Sequence, residues 1–233
     1  MQKKKNLNTL LTFGLLVLAA IAVNGIMYLI QANTIAVTGS APGSVGRDVE
    51  EIVVPPLEDF VEKVANGDPT LMVGIYSEGL FADVITHQPA GNFGYVDAKP
   101  GDVTLFHLAE ENKTLGLLAH NYLAGHDFFK LEIGDEIHLI LGDGSTLPFR
   151  VAELHQFQAL QPNDAHSQFL NLETGVKEDS SQVFQEMYDR EYQMVLQTCI
   201  DKDGNSEWGR LFVISEPILE EIDLTAEEAD QLH

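Results

Sequence analysis

The chain reads as an all-β domain with a few short helices, preceded by one N-terminal transmembrane helix. Three observations predict this. From Thr70 onward the apolar runs are short and are broken by Gly, Asp, Asn and Pro, the pattern of strands and turns. Gly142-Asp143-Gly144 lies between two such runs and marks a hairpin. Near the N-terminus, residues 10–30 form a single long apolar stretch unlike anything that follows. Many short strands with glycine turns indicate a sandwich or a closed barrel.

As a helix, residues 10–30 would span roughly 31 Å, about the hydrocarbon thickness of a bilayer. Thr12, Gly14, Asn24 and Gly25 interrupt the stretch without adding charge. Lys3, Lys4 and Lys5 flank one side only, so residues 1–9 form a cytoplasmic tail and the remainder is exported. The competing reading is a cleaved signal peptide. The run is long for that role and no small-x-small cleavage site follows it, which favours a single-pass anchor.

Residues 31–56 are rich in Gly, Ser, Thr, Val and Pro and read as a stalk. Pro55-Pro56 then opens a helix with Leu57, Phe60, Val61 and Val64 at helical spacing, stopped by Asn66-Gly67-Asp68-Pro69. A folded domain over 57–217 follows. Strands are predicted at 71–76, 80–86, 115–120, 136–141, 147–154, 192–199 and 210–215, with short helices near 103–110 and 180–190. In the second helix Val183, Phe184, Met187 and Tyr188 share one face, a core face in character. Residues 218–233 form an acidic tail in which Thr225-Ala-Glu-Glu228 is a capping box.

All 36 acidic residues follow the apolar stretch, while three of the 13 basic residues precede it. The exported part therefore carries 10 basic against 36 acidic residues, a net charge of −26. Such a surface argues against nucleic acid or anionic lipid as a partner. It suits cationic groups or divalent metal, and it also simply confers solubility. One cysteine in an exported domain excludes an intrachain disulfide. Cys199 is then either a small buried hydrophobe or a working thiol.

Cys199 ends the apolar run Val195-Leu196-Gln197-Thr198-Cys199, and Arg210 opens the next one eleven residues later. A hairpin of these two strands would place the thiol beside the guanidinium, the local positive charge that a nucleophilic cysteine needs. A histidine must also be within reach. His120 ends the run Leu115-Gly-Leu-Leu-Ala-His120, and His126 follows in a turn. Position alone does not choose between them. Asp201, Asp203, Asn205 and Glu207, at alternate positions after the cysteine, have the spacing of oxygen ligands in a calcium loop. Gly204 is misplaced for an EF-hand, and a solvated polar turn is the simpler reading.

With these residues assembled, the chain resembles the sortases, extracytoplasmic cysteine transpeptidases of bacteria. The family's cysteine strand reads Thr-Leu-x-Thr-Cys, its arginine opens the next strand, and its histidine is followed by Phe-x-x-Leu and a Gly-Asp turn. Here those elements are Val195–Cys199, Arg210, His120, Phe128-Phe-Lys-Leu131 and Gly134-Asp135. Val195 replaces threonine, and Ala119 stands where glycine is common. The resemblance covers roughly residues 71–217 and selects His120 over His126.

It implies an eight-stranded β-barrel and a membrane-bound enzyme whose catalytic domain lies outside the bacterial cell membrane. Cys199 would attack a peptide bond in the sorting signal of a secreted protein. His120 would move the protons, and Arg210 would hold substrate carbonyls and the oxyanion. The thioacyl group would pass to an amine acceptor of the cell wall or a pilin, with no cofactor. By the same analogy residues 157–190 form the specificity loop. The alternatives are a catalytically idle peptide-binding scaffold and a cysteine hydrolase, a thiol protease that releases its acyl group to water.

Overall fold

The computed structural model describes residues 54–164 and 167–219. The expected membrane helix, nearly all of the stalk and most of the acidic tail lie outside these residues. Ten strands and three short α-helices follow in order. They are α1 (Leu57–Val64), β1 (Met72–Ser77), β2 (Phe81–His87), β3 (Asp102–Leu105), α2 (His107–Glu110) and β4 (Leu115–Leu118). A 3-10 helix (Ala124–Lys130) intervenes before β5 (Glu136–Leu141), β6 (Thr146–Ala159), β7 (Gln168–Asn171) and β8 (Lys177–Asp179). Then come α3 (Ser180–Tyr188), β9 (Met194–Lys202) and β10 (Asn205–Pro217).

The strand order is β10-β9-β4-β3-β2-β1-β5-β6, and β6 pairs in turn with β10. That last pairing closes an eight-stranded barrel and decides between barrel and sandwich. β7 and β8 extend the sheet outward from β6. Closure leaves the eight barrel strands with no free edge at this seam, which spans Gly209↔Gln158 to Pro217↔Phe149. Gly209 permits it, because a Cβ there would collide with the Phe157 carbonyl.

Strand alternation sorts the apolar residues into two cores. Leu117, Met194, Leu196, Leu211 and Val213 point into the barrel with Ile75, Val103 and Ile137. Their neighbours Leu118, Val195, Phe212 and Ile214 point outward into a second cluster, where Val183, Met187 and Tyr188 of α3 cover them. Helix α3 starts cleanly because Asp179 accepts from the Ser181 and Gln182 amides while the Gln182 side chain accepts from the Asp179 amide. Burying each large side chain of this layer stabilises the fold by about 1.5–3 kcal/mol. On the far side, α1 lays Phe60 against Val73, Tyr76 and Ile140.

The structure corrects the sequence reading in several places. The expected helix at 103–110 is a strand, β3, followed by only four helical residues. β3 is buried at every position and pairs in parallel with β2, so it lacks the alternation that identifies a half-exposed strand. The strands β7 and β8 were not expected. The strand carrying Cys199 runs on to Lys202, and β10 begins at Asn205, five residues before Arg210. Only Asp203-Gly204 connects them, both with positive φ (55° and 78°), as a two-residue hairpin turn requires.

Candidate active site

β9 and β10 pair antiparallel with Cys199 directly opposite Arg210. On the other side of β9 lies β4, in parallel, with Leu118 opposite Gln197. The Ala119 amide donates to the Gln197 carbonyl (3.1 Å), and the Thr198 hydroxyl donates to the Ala119 carbonyl (2.9 Å). These bonds keep the chain in step for two residues past β4. His120 follows Leu118 by two positions, as Cys199 follows Gln197 by two, so both belong to the outward face of the barrel. Cys199 joins the outer apolar cluster of Leu118, Phe157 and Phe212. The barrel wall thus sets the thiol opposite the guanidinium, with His120 two residues past the end of the neighbouring strand β4.

His120, Cys199 and Arg210 are each about 3% exposed. Burial pushes the Cys199 thiol above its ordinary range, opposed by the positive charge of Arg210 and reinforced by the negative charge of Glu207. Burial likewise pushes the His120 imidazole down, against a hydrogen bond to the Val96 backbone and the charge of Asp97. Both shifts favour the neutral form of the group concerned. The Tyr122 ring stacks on His120 with centroids 5.0 Å apart and planes 19° from parallel. His120 Nε2 is buried with no hydrogen-bond partner.

Arg210 curls back along its own strand, where Nη1 donates to the carbonyls of Gly209 (2.8 Å) and Glu207 (3.4 Å). Its Nε is buried without a partner. The same outward face carries Gln197, whose side-chain oxygen accepts from the Tyr188 hydroxyl at 2.6 Å. This buried bond ties α3 to the strand bearing the thiol.

His126 is not part of this cluster. It sits in the 3-10 helix with its side chain 69% exposed, next to Asp127. The four calcium candidates do not converge either. Asp201 and Asp203 are exposed at the hairpin end, the Asn205 side chain accepts from the Glu207 amide, and Glu207 is buried near Arg210 and Cys199. Among the described residues no group of three or more His, Cys, Asp or Glu side chains is arranged to hold a metal ion. Lys202 places its ammonium over the Trp208 ring, 4.4 Å from the centroid. Sequence reading missed Glu207 as a group buried near the thiol, and it missed the Tyr188–Gln197 bond. The Asp203-Gly204 dipeptide signals the turn, but the register shifts between Asn205 and Gly209, around Glu207, and no local sequence signal marks that irregularity.

No protein-family model and no curated protein matches the chain. Among solved structures it is similar to sortases. A lid mutant of sortase A from Corynebacterium diphtheriae is 17% identical, covering 89% of this chain and 95% of that one, with a TM-score of 0.41. Sortase C from Clostridium perfringens SM101 is 16% identical over 70% and 84% of the two chains, with a TM-score of 0.40. Sortase A from Listeria monocytogenes is 16% identical over 69% and 95%, with a TM-score of 0.38.

Proposed function

We propose that the protein is a membrane-anchored, sortase-like cysteine transpeptidase. It cleaves a peptide bond in the sorting signal of a secreted protein and passes the acyl group to an amine of the cell wall or of a pilin. The observation that supports this reading is the register: Cys199 lies opposite Arg210 on one side, and on the other β9 pairs with β4, whose last paired residue, Leu118, precedes His120 by two. A buried cysteine of purely structural use needs neither a buried guanidinium beside it nor an unpartnered imidazole nitrogen at the same level.

In this reaction His120 takes the Cys199 proton as the sulfur attacks the scissile carbonyl, then gives it to the leaving amine. Arg210 stabilises the oxyanion of the tetrahedral intermediate. Its unpartnered Nε is a donor available to a substrate oxygen. Transfer to an amine reverses the same steps. The enzyme works on the extracytoplasmic face of the membrane.

The test supplies the full chain with a peptide library and an added amine, and follows ligated products by mass spectrometry. Ligation that disappears in Cys199→Ala supports the proposal. Cleavage without ligation identifies a hydrolase. Peptide binding with neither product identifies a scaffold and overturns the enzyme reading.

A further inference from the structure

Glu207 is the one buried group at this site that the reaction as described leaves without a task. It is 4% exposed, and its Oε2 is buried with no hydrogen-bond partner. It lies close enough to Cys199 and Arg210 for its charge to act on both. Its backbone is fixed: the Asn205 side chain accepts from the Glu207 amide at 3.0 Å, and Asn121, next to His120, donates to the Ser206 carbonyl at 3.1 Å. A counter-ion for Arg210 would pair with it. Arg210 instead bonds the Glu207 and Gly209 backbone carbonyls, and its Nε also stays unpartnered. Burial pushes the Glu207 carboxyl up and the Arg210 charge pulls it down, while a buried carboxyl oxygen and a buried guanidinium nitrogen stay without hydrogen-bond partners, a costly arrangement unless a ligand completes it.

The ligand's charge follows from the neighbours. An amine acceptor reaches the site as an ammonium ion, and Arg210 repels it. Glu207 is the acidic residue whose charge bears on the thiol. We infer that Glu207 is the docking group for the incoming cationic amine, which it holds beside the thioacyl carbon. This rests on the transpeptidase reading above.

The docked ammonium first gives one proton to water. The free amine nitrogen then bonds to the thioacyl carbon, its second proton passes to His120, the C–S bond breaks, and the electron pair leaves on Cys199 Sγ. Glu207 is thereby a specificity-determining residue for the second half-reaction, besides the effect of its charge on the thiol.

The test uses the full chain with a peptide that forms the thioacyl enzyme, and compares glycinamide, largely cationic at pH 7, with hydroxylamine, neutral at that pH. Glu207→Gln is expected to raise the KM for glycinamide on the order of tenfold, the loss of one close charge pair. The readout is the ratio of the two amines on the preformed thioacyl enzyme, since any effect of Glu207 on the thiol itself is common to both; the hydroxylamine reaction should be unchanged. Glu207→Asp, which keeps the charge, should retain the preference for glycinamide, and it decides the matter if Glu207→Gln fails to fold. Equal losses with both amines, no loss with either, or an Asp variant behaving like Gln would overturn the inference. Absence of any thioacyl adduct in the unaltered protein would instead defeat the transpeptidase reading, a separate result.

Discussion

Two regions of the barrel bury ionisable groups, and they do so in opposite electrostatic company. At the thiol site Arg210 and Glu207 bring one charge of each sign, and their effects on Cys199 oppose one another. Asp83, on β2, is as deeply buried, and its nearest charged neighbours are two carboxylates, Asp127 and Asp102, whose own partners are Lys130 (2.7 Å) and Lys99 (3.1 Å). Burial first, then the charges of Asp127 and Asp102, push its carboxyl up to about 7. It lines a cavity of about 590 Å³ with Phe81, Gly101, Tyr122, His126 and Asp127. Depth of burial is similar in the two places; what differs is the sign of the neighbours. At the first the Arg210 cation opposes the upward push of burial, whereas at the second the neighbouring carboxylates add to it.

The largest test of this contrast is His120→Ala. Loss of the proton carrier should lower ligation by about 10³-fold, within the usual range for a general acid–base group. An undiminished rate would remove His120 from the site.

Arg210→Lys is next. Lysine keeps the charge near the thiol but loses the planar fork that donates to an oxyanion. Ligation should fall on the order of 10²-fold, while alkylation of Cys199 by iodoacetamide changes only slightly. Equal losses in both would mean that Arg210 acts on the cysteine and not on the substrate.

At the other region the readout is stability. Asp83 has a folded value of about 7 against an ordinary 3.8, so the unfolded chain ionises it first as pH rises. Stability should therefore fall between pH 4 and 7 and level off above that. Asp83→Asn should flatten the slope and stabilise the protein at pH 8 by on the order of 2–4 kcal/mol. Thermal melts across that range check it, and an unchanged slope would mean that Asp83 is ionised in the fold. The smallest effect belongs to His126→Ala, which should leave ligation within about twofold, since that side chain is exposed and faces the Asp83 cavity.

The placement of the candidate residues was partly legible in the sequence because Cys199 and Arg210 lie on strands and His120 follows one by two residues. The apolar runs ending at His120 and Cys199 and the one opening at Arg210 were readable, and their pairing follows from a hairpin and a closed barrel. Less legible was whatever depends on contacts between distant segments. β3 is buried on both faces and looked helical. The closing seam of β6 and β10 joins residues 51 to 68 positions apart and leaves no local mark. Glu207 sits in a polar run that resembled a solvated turn, and only the register of the hairpin turns it inward. The Asp-Gly turn signal was present there, but the alternate acidic spacing competed with it.

The central claim is that Cys199 carries the acyl group. Its most direct test is the mass of the full chain after exposure to a sorting-signal peptide library, followed by peptide mapping of any adduct. The account predicts a hydroxylamine-sensitive acyl adduct on the peptide containing Cys199, absent from Cys199→Ala. An adduct elsewhere, or none with any peptide while the folded chain still binds them, would contradict it.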